Sequence, residues 1–165
     1  MRTVNRRNLL WGALALGGSL ALALALAEAV VRAAWGDLMP THVIKKYLVE
    51  PDPVLDWRLR PNVDLAFESR EFGAVRFESN ARGLRAGRDI PYEKPAGERR
   101  LLALGDSFTY GQWVNLEDTY AERIAALLPG WETVNTGVFG YDTDRELYVL
   151  ETEGLRYAPD VVIQF

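Results

Sequence analysis

The class of fold follows most directly from residues 101–109, which read LLALGDSFT. A short, continuously apolar run such as residues 101–104 is typical of a strand covered on both faces, as in a parallel sheet. Gly105 follows it at once and allows the backbone to turn sharply, so that Ser107 stands at the carboxyl end of the predicted strand. Open α/β sheets place their reacting groups at this end of their strands. Ser107 is therefore a candidate nucleophile.

Strands and helices alternate through the rest of the C-terminal part, and this alternation predicts βαβ units around a parallel sheet. Residues 132–135 and 161–165 are the second and third predicted strands. Thr119 with Glu122 and Thr143 with Glu146 have the spacing of capping boxes, which predicts one helix before the second strand and another between the second and third strands. The apolar positions that we expect to face the sheet are Tyr120, Ile124, Leu127 and Leu128 on one helix and Leu147, Leu150 and Leu155 on the other.

The segment between the N-terminus and the sheet carries weaker patterns. Prolines at positions 40, 51, 53 and 61 break any long helix, so residues 37–61 are predicted to be a linker with one short helix around residues 42–48. Residues 63–68 and 75–78 alternate apolar and polar side chains on either side of Gly73. This pattern predicts a β-hairpin that is half-buried on one face.

The N-terminus carries the features of a membrane segment. Residues 9–27 contain no charged side chain, and a helix of this length spans the hydrocarbon core of a bilayer. Arg2, Arg6 and Arg7 precede it, which by the positive-inside rule places the N-terminus in the cytoplasm. We therefore expect a single-pass protein of the cell membrane whose C-terminal part is periplasmic or extracellular.

A cleaved signal sequence is the alternative interpretation of this helix. Ala25 and Ala27 form the small-x-small pattern that a signal peptidase accepts, and Arg6-Arg7 loosely resembles a twin-arginine signal. Retention is favoured because the apolar stretch exceeds the usual h-region of about 7–15 residues. Both alternatives export the rest of the chain.

Composition and charge exclude several classes of function. The formal net charge is −4, and the residues after Trp35 carry 15 basic and 22 acidic side chains, a net charge of −7. An acidic body argues against binding to nucleic acid, which needs a positive surface. Cysteine is absent, so no disulfide or thiolate metal site can form. Neither metal-ligand spacing nor a phosphate-binding glycine loop is present, and we predict no metal and no cofactor.

Two segments make residues 99–165 resemble the N-terminal half of the SGNH/GDSL hydrolase family. Residues 105–111, GDSFTYG, are similar to the first block of that family, with Phe108 in place of leucine. Residues 135–143, NTGVFGYDT, are similar to the second block. The resemblance implies a flavodoxin-like three-layer α/β sandwich with a parallel sheet and a serine esterase activity. It also implies that Ser107 is the nucleophile, that the backbone N–H groups of Ser107 and Gly140 form the oxyanion hole, and that Gly105 and Asp106 support the nucleophile loop.

The resemblance does not extend to every block of the family. The Gly-x-Asn-Asp block and the late Asp-x-x-His segment have no counterpart in the 165 residues, and His42 lies in the predicted linker far from the sheet. We therefore expect an inactive fragment whose α/β domain is truncated after the third strand. Without the resemblance, Gly105-Asp106-Ser107 would read as a turn with a helix cap. Thr109 stands where the Gly-x-Ser-x-Gly elbow of α/β-hydrolases needs glycine.

The expected organisation is a transmembrane anchor or signal over residues 1–35, a membrane-proximal linker and hairpin over 36–97, and an incomplete hydrolase domain over 98–165. The expected substrate is an ester of an envelope carbohydrate, a lipid or a small molecule. An O-acetyltransferase of the same fold and a non-catalytic membrane-anchored binding module are the alternatives. The aromatic residues near the two blocks are Tyr110, Trp113, Phe139 and Tyr141, and they either line a substrate pocket or simply pack.

Overall fold

The computed structural model describes residues 6–35, 41–69 and 72–165. The chain divides into two compact units, Met1–Pro40 and Thr41–Phe165. The architecture is mixed α/β, with one N-terminal apolar helix in the first unit and a three-stranded parallel sheet in the second. The predicted class of secondary structure is thus confirmed.

The first unit is the helix α1, Arg6–Trp35. Its stretch Leu10–Ala34 is 25 residues long and apolar enough to cross a membrane, a test that a signal sequence near the N-terminus also passes. The leucines of this stretch are exposed, with Leu16 at 73%. The predicted apolar helix is confirmed by length and composition, while its sidedness and its cleavage stay predictions.

The second unit begins with a short helix and two antiparallel hairpins. Helix α2, Thr41–Leu48, lies where the sequence predicted one, and the strands β1, Val49–Asp52, and β2, Asp56–Leu59, follow it. These two strands were not predicted, because Pro51 and Pro53 favour a linker. Pro51 is tolerated since a two-stranded sheet consists only of edges. The predicted hairpin is confirmed as β3, Asp64–Ser69, paired with β4, Gly73–Glu78.

The parallel sheet has the order β6–β5–β7. Its elements are β5 (Arg99–Leu104), α3 (Ser107–Tyr110), α4 (Tyr120–Leu127), β6 (Trp131–Asn135), α5 (Thr143–Thr152) and β7 (Val161–Gln164), with 3₁₀ turns at Leu116–Asp118 and Gly154–Tyr157. The central strand β5 is buried on both faces. Leu101 and Ala103 pack with Ala121 of α4, while Leu102 and Leu104 pack with Val134 and Tyr157, against which Val149 of α5 lies.

The predicted inward faces of the two helices are partly wrong. Leu127 is 79% exposed, Leu147 51% and Leu155 55%. The inward face of α4 includes Tyr120 and Ile124, as predicted, but it is built on the small, fully buried Ala121, which the predicted stripe did not contain. On α5 it includes Glu146, whose carboxylate accepts a hydrogen bond from Gln164 Nε2 at 2.8 Å. A buried glutamate interrupts the apolar periodicity on which the prediction rested.

Of the two predicted helix caps, one is confirmed and the other is wrong. Thr119 caps α4 as predicted, with its hydroxyl accepting from the Glu122 N–H. For α5 the cap is Asp142, whose carboxylate accepts from the Arg145 N–H, so the predicted cap Thr143 is instead the first helical residue. Aspartate and threonine are both good N-caps, and the sequence alone does not rank neighbouring candidates.

Candidate functional site

Ser107 is the first residue of helix α3, three residues beyond the end of β5, and its side chain is half-buried. Gly105 makes the turn between the two elements with φ of 154°, and a Cβ there would lie 2.0 Å from Thr109 Oγ1. The turn therefore requires glycine. Asp106 caps α3, with its Oδ1 accepting from the Phe108 N–H at 2.9 Å. Both residues named as loop support act on the backbone that carries Ser107.

Thr109 ties the short helix to the sheet and to α4. Its side chain is fully buried. The hydroxyl donates to the Leu104 carbonyl at 3.3 Å and accepts from the Tyr120 hydroxyl at 3.1 Å. From the sequence, Thr109 was noted only because it stands where the Gly-x-Ser-x-Gly elbow needs glycine, and its structural role was missed. A polar residue two positions after a candidate nucleophile could have indicated that role.

The segment that follows β6 lies directly on the loop that carries Ser107. Asn135 Nδ2 donates to the Thr109 carbonyl at 2.7 Å, and Asn135 Oδ1 accepts from the Gly137 N–H at 2.9 Å. A Cβ on Gly137 would lie 2.3 Å from the backbone nitrogen of Tyr110. The Val138 N–H also donates to the Gly105 carbonyl at 3.1 Å. Segments 105–110 and 135–138 are thus in backbone contact at the carboxyl ends of β5 and β6.

Gly140 lies in the loop after this contact, with φ of 72° and an exposed backbone. Trp57 of β2 fixes the loop on both sides of it, because its Nε1 donates to the Phe139 carbonyl at 2.9 Å and its carbonyl accepts from the Tyr141 hydroxyl at 2.7 Å. A Cβ on Gly140 would lie 3.5 Å from the Trp57 ring. The hairpin that sequence analysis missed therefore positions one of the predicted site residues.

Several hydrogen-bonding groups in this region have no partner in the part of the chain that the structure describes. Neither the Ser107 hydroxyl nor the Ser107 N–H makes a hydrogen bond to a described residue, and the same holds for the Gly140 N–H. Polar backbone groups are normally paired with protein or with water. These three groups are accordingly available to solvent or to a ligand.

The second hairpin covers the loop that follows α3. Trp113 has the left-handed φ of 70°, a conformation that costs energy for a large side chain. Its ring stacks on Phe72 with centroids 4.6 Å apart and meets the edge of Phe77 at 6.1 Å. Asn115 Oδ1 accepts from the Arg76 N–H at 2.9 Å. These contacts of β4 and of the turn before it hold the loop in its strained form.

Arg85 is a fully buried cation beneath the same loop. Its guanidinium donates to the carbonyls of Glu78, Arg76 and Val114 and lies 4.8 Å from the centre of the Tyr110 ring. Its Nε is buried without a hydrogen-bond partner. Burial lowers the pKa of Arg85 and raises the pKa of Tyr110 to about 12. Sequence analysis missed Arg85, because arginine in a turn is normally exposed.

The remaining residues singled out from the sequence have less direct roles. Tyr110 and Phe139 pack in the core with ring centroids 4.3 Å apart. Tyr141 is buried and lines a cavity of about 460 Å³. The backbone of His42 lies in α2, and its side chain lies outside the described part of the structure.

Comparisons with known proteins add no assignment. No model of a known protein family matches the chain, and no curated protein sequence matches it. Within residues 6–35, 41–69 and 72–165, no group of three or more histidine, aspartate or glutamate side chains could hold a metal ion. The chemistry of the site is therefore argued from the geometry of the two contacting segments and from the sequence motifs.

Proposed function

We propose that the protein is a membrane-anchored, outward-facing serine esterase of the SGNH/GDSL type with a flavodoxin-like α/β domain. Its substrate is an ester of a glycan, a lipid or a small molecule. The observation that carries the proposal is the contact between segments 105–110 and 135–138 at the carboxyl ends of two neighbouring strands. This contact brings together the two segments that resemble the first two blocks of the family, and it leaves the Ser107 hydroxyl without a partner among the described residues.

In the proposed reaction the Ser107 Oγ attacks the ester carbonyl carbon, and the leaving alcohol departs with a proton. The negative charge that develops on the carbonyl oxygen is stabilised by the N–H groups of Ser107 and Gly140, which donate to no described residue. Water then releases the acyl group from Ser107. An O-acetyltransferase differs only in the last step, in which a sugar hydroxyl accepts the acyl group.

Attack by Ser107 requires a base, since a serine hydroxyl at its ordinary pKa is a weak nucleophile. In the family that the chain resembles, a late Asp-x-x-His segment supplies the base and the carboxylate that orients it. The 165 residues hold one histidine, His42. Ser107 and Gly140 therefore supply the nucleophile and the oxyanion donors of the proposed reaction, and the proposal assigns the base to no residue of this sequence.

The apolar helix supports the anchoring part of the proposal. The stretch Leu10–Ala34 is long enough to span a bilayer. The arginines at positions 2, 6 and 7 favour a cytoplasmic N-terminus, so the unit Thr41–Phe165 is proposed to face outward.

Replacement of the nucleophile tests the proposal. In the full-length protein, Ser107→Ala should abolish the release of p-nitrophenol from p-nitrophenyl acetate and the labelling by a fluorophosphonate probe. Ser19→Ala in α1 is the matched control, because its hydroxyl bonds only the Ala15 carbonyl of its own helix. Hydrolysis that persists unchanged in Ser107→Ala would exclude Ser107 as the nucleophile.

A non-catalytic binding module is the second candidate, and the outer edge of β7 favours it. In the described part of the chain β7 pairs only with β5. Val161, Val162 and Phe165 are exposed there, and an open strand edge is a site for pairing with another chain. A parent protein that fails to hydrolyse any ester but binds a partner in a manner unaffected by Ser107→Ala would favour this candidate.

A further inference from the structure

Neither Ser107 nor Gly140 lines a cavity of about 460 Å³ that borders the segment after β6 through Thr136, Val138 and Tyr141. It is bounded by the hairpin β1–β2, the turn at residues 81–84, the segment after β6 and the second half of α5. Its volume falls within the range of about 300–1,000 Å³ that is typical of small-molecule sites. The proposed esterase reaction makes no use of it.

The wall formed by residues 81–84 is fixed by hydrogen bonds and close packing. Asn80 is buried, and its Oδ1 accepts from the N–H groups of Arg82 and Leu84 at 3.0 Å each. Gly83 has φ of 75°, and a Cβ on it would lie 2.6 Å from the Leu59 carbonyl oxygen of β2. The turn and the hairpin therefore touch backbone to backbone. A wall built in this way is formed before any ligand binds.

The floor of the cavity is apolar and its rim is polar. Leu59, Leu84 and Val138 are buried side chains of the floor. The rim carries aromatic and hydrogen-bonding side chains, which include Tyr92, Tyr148, Thr152, Arg82 and Asp52. An apolar chain would leave this rim without partners, so the lining does not fit a fatty acyl group.

The charges around the cavity balance. Two basic residues, Arg58 and Arg82, face two acidic ones, Asp52 and Glu153. Arg58 is also paired with Glu50 at 2.8 Å. The Arg82 guanidinium lies 4.0 Å from the centre of the Tyr92 ring, whose hydroxyl donates to Glu153 at 2.8 Å. A phosphate or carboxylate ligand needs an excess of positive charge, and the cavity does not offer one.

Hydrogen-bonding capacity nevertheless remains on the rim. In the described part of the chain Arg82 makes one side-chain hydrogen bond, from Nη1 to the Ile90 carbonyl, which leaves its other N–H groups available. Asp52 uses Oδ1 for the N–H groups of Val54 and Leu55 and keeps Oδ2 available. The Tyr148 hydroxyl makes no hydrogen bond to a described residue, and its side chain is 39% exposed. Both donors and acceptors are thus presented above an apolar floor.

We propose that this cavity is a binding site for a neutral carbohydrate of one or two sugar units. A sugar ring has an apolar C–H face that packs on tyrosine and aliphatic side chains, and a periphery of hydroxyl groups that both donate and accept. The balanced charge selects an uncharged sugar. The proposal does not rest on the esterase reaction, because neither Ser107 nor Gly140 lines the cavity, although its residue Tyr141 also bonds Trp57 beside the Gly140 loop.

Titration of the full-length chain with chitobiose, cellobiose and maltose tests the proposal, in micelles of a detergent that carries no sugar head group. Saturation-transfer NMR and calorimetry should detect at least one of these sugars with a Kd of about 1 mM or tighter. Tyr148→Ala and Arg82→Ala should each weaken that binding about fivefold or more. Tyr47→Ala is the matched control, since Tyr47 is 54% exposed and does not line the cavity.

Three outcomes would overturn the assignment. The first is that none of the three sugars binds up to its solubility limit while the near-ultraviolet circular dichroism shows a folded protein. The second is that Tyr148→Ala and Arg82→Ala bind the sugar as tightly as the parent chain. The third is that glucuronic acid or glucose 6-phosphate binds where the neutral sugars do not. Loss of esterase activity in Ser107→Ala with unchanged sugar binding would show that the two sites are separate, as proposed.

Discussion

The two ends of the parallel sheet are held by different forces. At the amino end, the fully buried Arg100 donates from Nε to Glu132 on the neighbouring strand at 2.7 Å. Its Nη1 donates to the carbonyls of Tyr92 and Tyr157. Glu132 also pairs with Arg88 through its other carboxylate oxygen. The buried cation at this end is therefore neutralised by a carboxylate.

At the carboxyl end, the buried cation has no carboxylate partner in the described part of the chain. The Arg85 N–H donates to the carbonyl of Asn135, the last residue of β6, and its guanidinium donates to three backbone carbonyls and lies against the Tyr110 ring. The other contacts there are neutral hydrogen bonds of Thr109 and Asn135 and the close approach of Gly137 to Tyr110. Close backbone packing and neutral hydrogen bonds therefore take the place of a charge pair at this end.

The amino end of the sheet therefore has a structural role, whereas the carboxyl end keeps hydrogen-bonding groups that a ligand could use. A buried charge is costly unless it is paired, and a pair that uses all its hydrogen bonds has none left for a ligand. At the carboxyl end the Ser107 and Gly140 N–H groups donate to no described residue, and Arg85 Nε is buried without a partner. The geometry of these groups depends on how closely segments 105–110 and 135–138 pack.

The largest predicted effect tests this packing. Gly137→Ala should lower the free energy of unfolding by about 4 kcal/mol or more, because the added Cβ meets backbone atoms rather than a flexible side chain. The nearest atom is the Tyr110 backbone nitrogen at 2.3 Å. Urea unfolding followed by tryptophan fluorescence measures the loss.

Gly87→Ala is the matched control for this variant. The nearest atom to a Cβ there is Leu116 Cδ2 at 3.3 Å, the end of a side chain that can move. We expect a change of about 0.5 kcal/mol. A Gly137→Ala protein as stable as Gly87→Ala would contradict the view that close backbone packing stabilises the carboxyl end of the parallel sheet.

The second prediction concerns the charge pair at the amino end. Glu132→Gln keeps the shape of the side chain but leaves Arg100 buried without a counter-charge, and it should cost about 3 kcal/mol of stability. Asp118→Asn removes the exposed pair with Arg123, in which both side chains are mostly in solvent, and should cost about 0.5 kcal/mol or less. Thermal unfolding of both variants gives the comparison. Similar losses in both would mean that burial of Arg100 does not strengthen its need for Glu132.

Sequence patterns identified those parts of the fold that depend on local rules. The apolar run at residues 101–104, the alternation at 63–68 and 75–78, and the capping box at Thr119 each correspond to an observed element. The faces of α4 and α5 could not be predicted in full, because Ala121 and Glu146 are buried by their tertiary neighbours and not by their own hydrophobicity. The hairpin β1–β2 was not predicted, because Pro51 and Pro53 favour a linker over a strand.

In the candidate site, too, the residues with local roles could be predicted from the sequence and those with long-range contacts could not. Ser107, Gly105 and Asp106 could be named from the motif, since their roles are local to the turn after β5. Trp57 and Arg85 could not, because each acts over a long distance in sequence: Trp57 on the carbonyl of Phe139 and Arg85 on that of Val114. Such contacts follow from the packing of the hairpins and leave no periodic signal. Whether Ser107 and Gly140 act together in catalysis stays a prediction.

The smallest predicted effect asks how well Arg85 compensates a negative charge at the carboxyl end. Burial raises the pKa of Tyr110 to about 12, and the nearby Arg85 acts in the opposite direction without cancelling it. Because the folded-state pKa lies above the unfolded value of about 10, stability is complete below pH 10 and falls as the pH rises towards 12. Tyr110→Phe keeps the ring beside Phe139 and removes this ionisation, so at pH 12 it should recover about 2 kcal/mol relative to the parent chain. Burial also raises the pKa of Tyr141 and Tyr157, so part of the loss of stability at alkaline pH remains in the variant.

Unfolding free energies measured from pH 8 to 12 give one curve for the parent chain and one for Tyr110→Phe. Curves that coincide would mean that Arg85 does neutralise a phenolate at the carboxyl end of the sheet, as Glu132 neutralises Arg100 at the amino end.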